Sequence, residues 1–137
     1  MKKILSVLWR HTADQVKPCL SCSDTGRSFS ELLDLLIPAF NEEGIVLDFR
    51  EEIISGDAGN PENIVLLNEI PIGLFLSHAA RGEEYCHASR CRPPEHIHRH
   101  YPDASGVRCD EAPEILFRKA ILLALDDEVR THYAALR

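Results

Sequence analysis

Apolar residues alternate weakly from Ile4 to Trp9, and the β-branched and aromatic content of this run predicts a first strand that Arg10-His11 ends. A polar loop over residues 12–18 leads to Pro18 and two thiols, Cys19 and Cys22. Ser23-Asp24-Thr25-Gly26 then reads as a turn, or as the continuation of a helix begun at the thiols. Beyond it the period is helical. Phe29, Leu33, Leu36 and Phe40 recur at i, i+4, i+7 and i+11, Ser28 and Glu31 have the spacing of a capping box, and Gly44 supplies a stop. Pro38 is expected to kink or shorten this helix. Ile45 to Phe49 is apolar enough for a central strand, and two strands flanking one helix predict a parallel βαβ unit.

Residues 55–63 have loop composition, and Ile64 to Leu67 reads as a third short strand. Ile70 to Leu76 fits an edge strand or a short helix equally well. Residues 77–110 lose the helical period and carry five of the seven histidines and three of the five cysteines, a Cys/His-rich excursion. Within it, the alternation from His96 to Tyr101, the turn composition of Pro102 to Gly106 and the run Val107 to Cys109 predict a hairpin. After Ala112-Pro113 a last helix runs through Ile115, Leu116, Ala120, Leu123 and Leu125, with the tail from Thr131 expected to fray.

Composition narrows the class. A chain of 137 residues, 45% hydrophobic and 27% charged, is expected to fold as a single domain, 1–137, around one core. A net charge of −7 argues against nucleic acid, which is bound through clustered Lys and Arg. The first ten residues imitate a signal peptide, but the apolar run ends before an h-region is complete. No stretch reaches the roughly 20 apolar residues of a membrane span, so no membrane contact is expected. A cytoplasmic location is the expectation, and an odd count of five cysteines suits a reducing compartment.

The chemistry lies in Cys19-Leu20-Ser21-Cys22, placed between the first strand and the amphipathic helix. A helix start offers unpaired N–H groups and the positive end of the macrodipole, which favour a thiolate. The spacing therefore predicts a thiol-disulfide oxidoreductase: Cys19 attacks a protein or small-molecule disulfide, and Cys22 resolves the mixed disulfide. Lys17 and His11 are the neighbours in sequence that would favour the Cys19 thiolate. Such exchange requires no cofactor. Neither the potential nor the oligomeric state is readable from the chain.

Trp9-Arg10-His11, Cys19-x-x-Cys22-x-x-Thr25-Gly26, Asn68 followed by Ile70-Pro71-Ile72, Tyr85-Cys86, and Ala112-Pro113 before a helix together resemble a thioredoxin-like prokaryotic family of domains of unknown function. The resemblance spans nearly the whole chain. It implies an α/β, thioredoxin-like fold: a mixed central sheet with helices on both faces, and the CxxC opening the first long helix. Redox members of that superfamily set a cis-proline opposite the thiols for substrate docking, and Pro61 is the candidate, although Glu62-Asn63 intervene before the third strand. Glu69 stands where the family's pattern has Gly after the Asn, and Cys86 and Cys91 lie further apart than its closer pair.

Two readings compete with exchange. Cys19, Cys22, Cys86 and Cys91 number four soft ligands, as zinc or an iron–sulfur cluster requires. A narrower zinc set draws on Cys86, Cys91 and Cys109 with one of His96, His98 or His100, which strand alternation would place on one face. The simpler reading of those histidines is a solvent-facing strand surface. The other competitor is a non-catalytic interaction module on the same scaffold. No GxGxxG, GxxxxGK, GxSxG or HExxH motif supports nucleotide, kinase or hydrolase chemistry.

Overall fold

The computed structural model describes residues 3–55, 62–82, 85–87, 90–92, 98–104 and 106–135. It is mixed α/β. Strand β1 (Lys3–Thr12) runs parallel to β3 (Ile45–Ile54), and helix α1 (Phe29–Glu43) crosses between them, so the expected βαβ unit is present. On its other side β1 pairs antiparallel with β4 (Asn63–Leu67), which pairs antiparallel with the two-residue β5 (Ile70–Pro71). The resulting order is β3-β1-β4-β5. A second mixed sheet, β2-β9-β8, is built from β2 (Leu20–Cys22), β8 (Arg99–Pro102) and β9 (Arg108–Ala112), while β6 (Tyr85–His87) and β7 (Arg90–Arg92) form a separate hairpin. Helices α2 (Ile72–Gly82), α3 (Glu114–Leu125) and α4 (Asp127–Ala135) complete the described elements.

Local chemistry explains the boundaries. The Ser28 hydroxyl accepts from the Glu31 N–H while the Glu31 carboxylate accepts from the Ser28 N–H, closing the capping box, and Gly44 ends α1 in the left-handed region at φ 73°. Pro38 leaves α1 unbroken. The carbonyl it orphans belongs to Asp34, and both residues face solvent, where water replaces the lost bond. The alternative at Ile70 to Leu76 resolves into a two-residue strand followed by the first turns of α2. The chain from Thr131 continues α4 to Ala135 instead of fraying, because Tyr133 buries its ring against Phe75 and shares a 2.9 Å hydrogen bond with His78 Nδ1.

Two expectations about the sheet are corrected. Phe29, Leu32 and Leu36 of α1, Phe75 and Leu76 of α2, and Phe117 and Ala120 of α3 share one core with Leu5, Val7 and Trp9 of β1. Alternate residues of a strand lie on one face, so among the described residues the helices gather on one side of the sheet, not on both. The opposite face is polar where it carries the Arg10–Glu52 and Arg50–Asp48 ion pairs, and Ile4 stays 59% exposed there. The second correction concerns β3. Among the described residues it is an edge strand rather than a central one, paired with β1 alone, and Phe49 and Ile53 stay exposed on it.

Candidate functional site

The thiol segment is a strand, not a helix start. β2 pairs in parallel with β9, Ser23-Asp24-Thr25 make a turn, and α1 begins only at Phe29. An extended backbone rises about 3.3 Å per residue and alternates its side chains, which sends residues i and i+3 to opposite faces about 10 Å apart. Cys22 accordingly points with Leu20 into the core and is buried. Burial pushes its thiol above the ordinary range, an effect that a hydrogen bond with the Thr25 side chain only partly offsets. The expected Cys19–Cys22 pair is therefore corrected: Cys22 is a free, buried thiol, and Cys19 is bonded to Cys109 across 90 residues of sequence.

Backbone register brings that pair together. Leu20 stands beside Asp110 in the β2–β9 ladder, and the Asp110 N–H donates to the Cys19 carbonyl at 3.1 Å, extending the pairing by one residue. Cys109 and Cys19 are then neighbours on adjacent strands, with Cα atoms 4.8 Å apart, inside the range a disulfide spans. Cys109 is 1% exposed, whereas Cys19 is half-buried and lines a cleft of about 580 Å³ between β4, the start of α2 and the Val107–Asp110 segment. Leu20, Ile64, Val65, Pro71 and Leu74 give the cleft an apolar lining, and Arg108 and Asp110 give it a charged end.

The loop before Cys19 is tied to the main sheet by one side chain. Asn63 on β4 accepts from the Trp9 indole N–H at 2.7 Å and donates to the Lys17 carbonyl at 2.7 Å and to the Gln15 side chain at 3.2 Å. Lys17 thus contributes its backbone to the loop while its side chain faces solvent. His11 lies buried, stacked on Trp9 at 3.8 Å, with Nε2 2.6 Å from Glu51 and Nδ1 2.7 Å from the Thr12 carbonyl. Both ring nitrogens are committed to the end of the sheet. Pro61 and His96 lie outside the described residues, and the described chain contains no cis peptide bond.

The expected hairpin over His96 to Cys109 is present as β8–β9, and its turn delivers a residue that sequence reasoning missed. Asp103 closes the turn by accepting from the Val107 N–H at 2.9 Å, and its carboxylate lies within 4.8 Å of both Cys19 and Cys109 sulfurs. The Pro102-to-Gly106 turn composition was the available signal. His98 does not face solvent as the simpler reading expected; it is 6% exposed, bonded through Nε2 to Asp110 at 2.7 Å and through Nδ1 to Ser77 at 3.2 Å. His100 stays exposed on β8. Cys86 and Cys91 are directly paired positions in β6–β7. Cys109 is bonded to Cys19, so the set of Cys86, Cys91 and Cys109 with one histidine is not what the described residues assemble around Cys109.

Residues 5–121 match the model of a family described as a domain of unknown function, DUF2703. The chain belongs to that family. No curated protein and no solved structure matches it. The DUF2703 match covers both halves of the bridge and every cleft residue named above, so the disulfide and its cleft lie within the family's domain. Among the described residues, no helix is long and apolar enough to cross a membrane.

Proposed function

We propose that this DUF2703 chain is a thiol-disulfide oxidoreductase on a thioredoxin-like scaffold, working through Cys19 and Cys109. The observation that carries the reading is the asymmetry of the bridge: one cysteine is half-buried and lines a cleft, and the other is buried in a central strand. The scaffold assignment is supported by the mixed sheet, the parallel β1–α1–β3 unit, and a thiol segment lying between β1 and α1.

Access dictates the order of events. An incoming thiolate reaches Cys19 from the cleft, forms a bond to its sulfur, and expels the electron pair onto Cys109, which leaves as a thiolate and takes a proton. A second thiol then displaces Cys19, so two electrons and two protons reduce the bridge. In the opposite direction Cys19 attacks a protein or small-molecule disulfide and Cys109 resolves the mixed disulfide. The cleft volume falls in the range of small-molecule sites, and its apolar lining suits the flank of a disulfide-bearing ligand.

The test is turnover of insulin reduction and of a small aromatic disulfide, coupled to a dithiol reductant. Cys19→Ser should abolish both reactions and Cys109→Ser should abolish turnover, while Cys22→Ser keeps the rate within about twofold. Equal activity in the Cys19→Ser chain would overturn the reading and leave an interaction module.

A further inference from the structure

The geometry points to a second use of the same sulfurs: once the bridge is reduced, Cys19, Cys109 and Asp103 form a site for a borderline-soft divalent cation such as zinc. Cys19 Sγ, Cys109 Sγ and an Asp103 carboxylate oxygen all lie within 4.8 Å of one another while the sulfurs are still bonded. Tetrahedral zinc with bonds of about 2.3 Å to sulfur holds two thiolates about 3.8 Å apart. The sulfurs need only separate to that spacing, and a carboxylate oxygen already lies within 4.8 Å of both.

The elements holding the three groups are independent of the bridge. Cys109 is fixed by β9 between its two neighbours, and Cys19 by the Asp110 N–H to its carbonyl. Asp103 is held by its turn, where its N–H donates to the Val107 carbonyl at 2.8 Å and the Gly106 N–H donates to its own carbonyl at 3.0 Å. Opening the disulfide removes none of these bonds. Reduction by a dithiol adds two electrons and two protons to the bridge, and metal capture then releases the two thiol protons as two sulfur–metal bonds form.

The donor set decides the ion. Two thiolates and one carboxylate suit zinc and its borderline-soft neighbours and disfavour magnesium and calcium, which take oxygen alone. Three protein ligands leave a fourth position open, and Cys19 presents that position to the cleft. The bridge and the ion exclude each other, since a disulfide sulfur has no thiolate to give. The oxidised chain is therefore closed to metal and the reduced chain open to it.

This site rests on the same reducible bridge as the exchange reading, and its test separates the two. Reduced, desalted chain is titrated anaerobically with zinc against a chromophoric chelator, in a Cys86→Ser/Cys91→Ser background so that no other thiol pair contributes. About one zinc per chain is expected in the reduced form and under a tenth in the oxidised form. Asp103→Asn should weaken binding at least tenfold, Cys109→Ser should abolish it, and Cys22→Ser should leave it unchanged. Equal uptake by oxidised and reduced chains, or full affinity in Asp103→Asn, overturns the three-ligand site. Turnover without zinc uptake removes the metal site alone, and zinc uptake without turnover removes the exchange reading alone.

Discussion

Burial of Cys22 gives the chain a pH signature at the level of one side chain. Its thiol is harder to ionise folded than unfolded, so the folded state holds a proton that the unfolded state releases once pH exceeds about 8.5. The contribution is complete below that value and is lost as pH climbs toward the folded-state value. Chemical denaturation of the parent should therefore show stability falling above about pH 9, and Cys22→Ala should flatten that decline.

At the level of elements, the β4–β5 hairpin turns on Asn68 and Glu69, with φ of 48° and 72°. Two positive φ values define the turn type that glycine favours at its second position, and a side chain there costs about 1 kcal/mol. Asn68 earns its place differently: its carboxamide oxygen accepts from the Ser6 N–H and its amide donates to the Ala124 carbonyl, both at 2.8 Å, joining β1 to α3. Glu69→Gly should raise Tm by about 3 °C in a scanning calorimeter, while Asn68→Gly should lower it. A second clasp links the turn after β2 to α3, where the Arg27 guanidinium holds the Glu114 carboxyl below the usual carboxylate range. That stabilisation is present above the ordinary carboxylate range and is lost as pH falls through the lower folded value. The Tm deficit of Glu114→Gln at neutral pH should accordingly vanish in acid.

Much at this scale was legible because it is local. The Ser28–Glu31 cap, the Gly44 stop, the βαβ unit and the β8–β9 hairpin each rest on residues close in sequence. The Cys19–Cys109 bridge was not legible, because it depends on three residues of β2 pairing with a strand 90 positions away, and so short a strand has no period to read. The CxxC spacing pointed to Cys22 as the partner of Cys19, whereas the bridge joins Cys19 to Cys109. Local spacing says nothing about which side of a strand each thiol takes.

For the whole molecule, the bridge closes most of the chain into one covalent loop. A loop of that length stabilises the folded state by about 4.6 kcal/mol in the chain-entropy account. Reduction should therefore lower the urea midpoint markedly, while Cys19→Ser under oxidising conditions should match the reduced parent. Because the ladder beside Cys19 and Cys109 is made of backbone hydrogen bonds, including Ser23 N–H to Ala112 at 2.9 Å, opening the bridge leaves the two strands where they were. The released sulfur at Cys109 then waits at a very high effective concentration behind any adduct on Cys19. Under the exchange proposed above, adducts on the parent should be fleeting, and a Cys109→Ser chain would act as bait: proteins eluted from it with reductant would be the disulfide partners that the proposal requires.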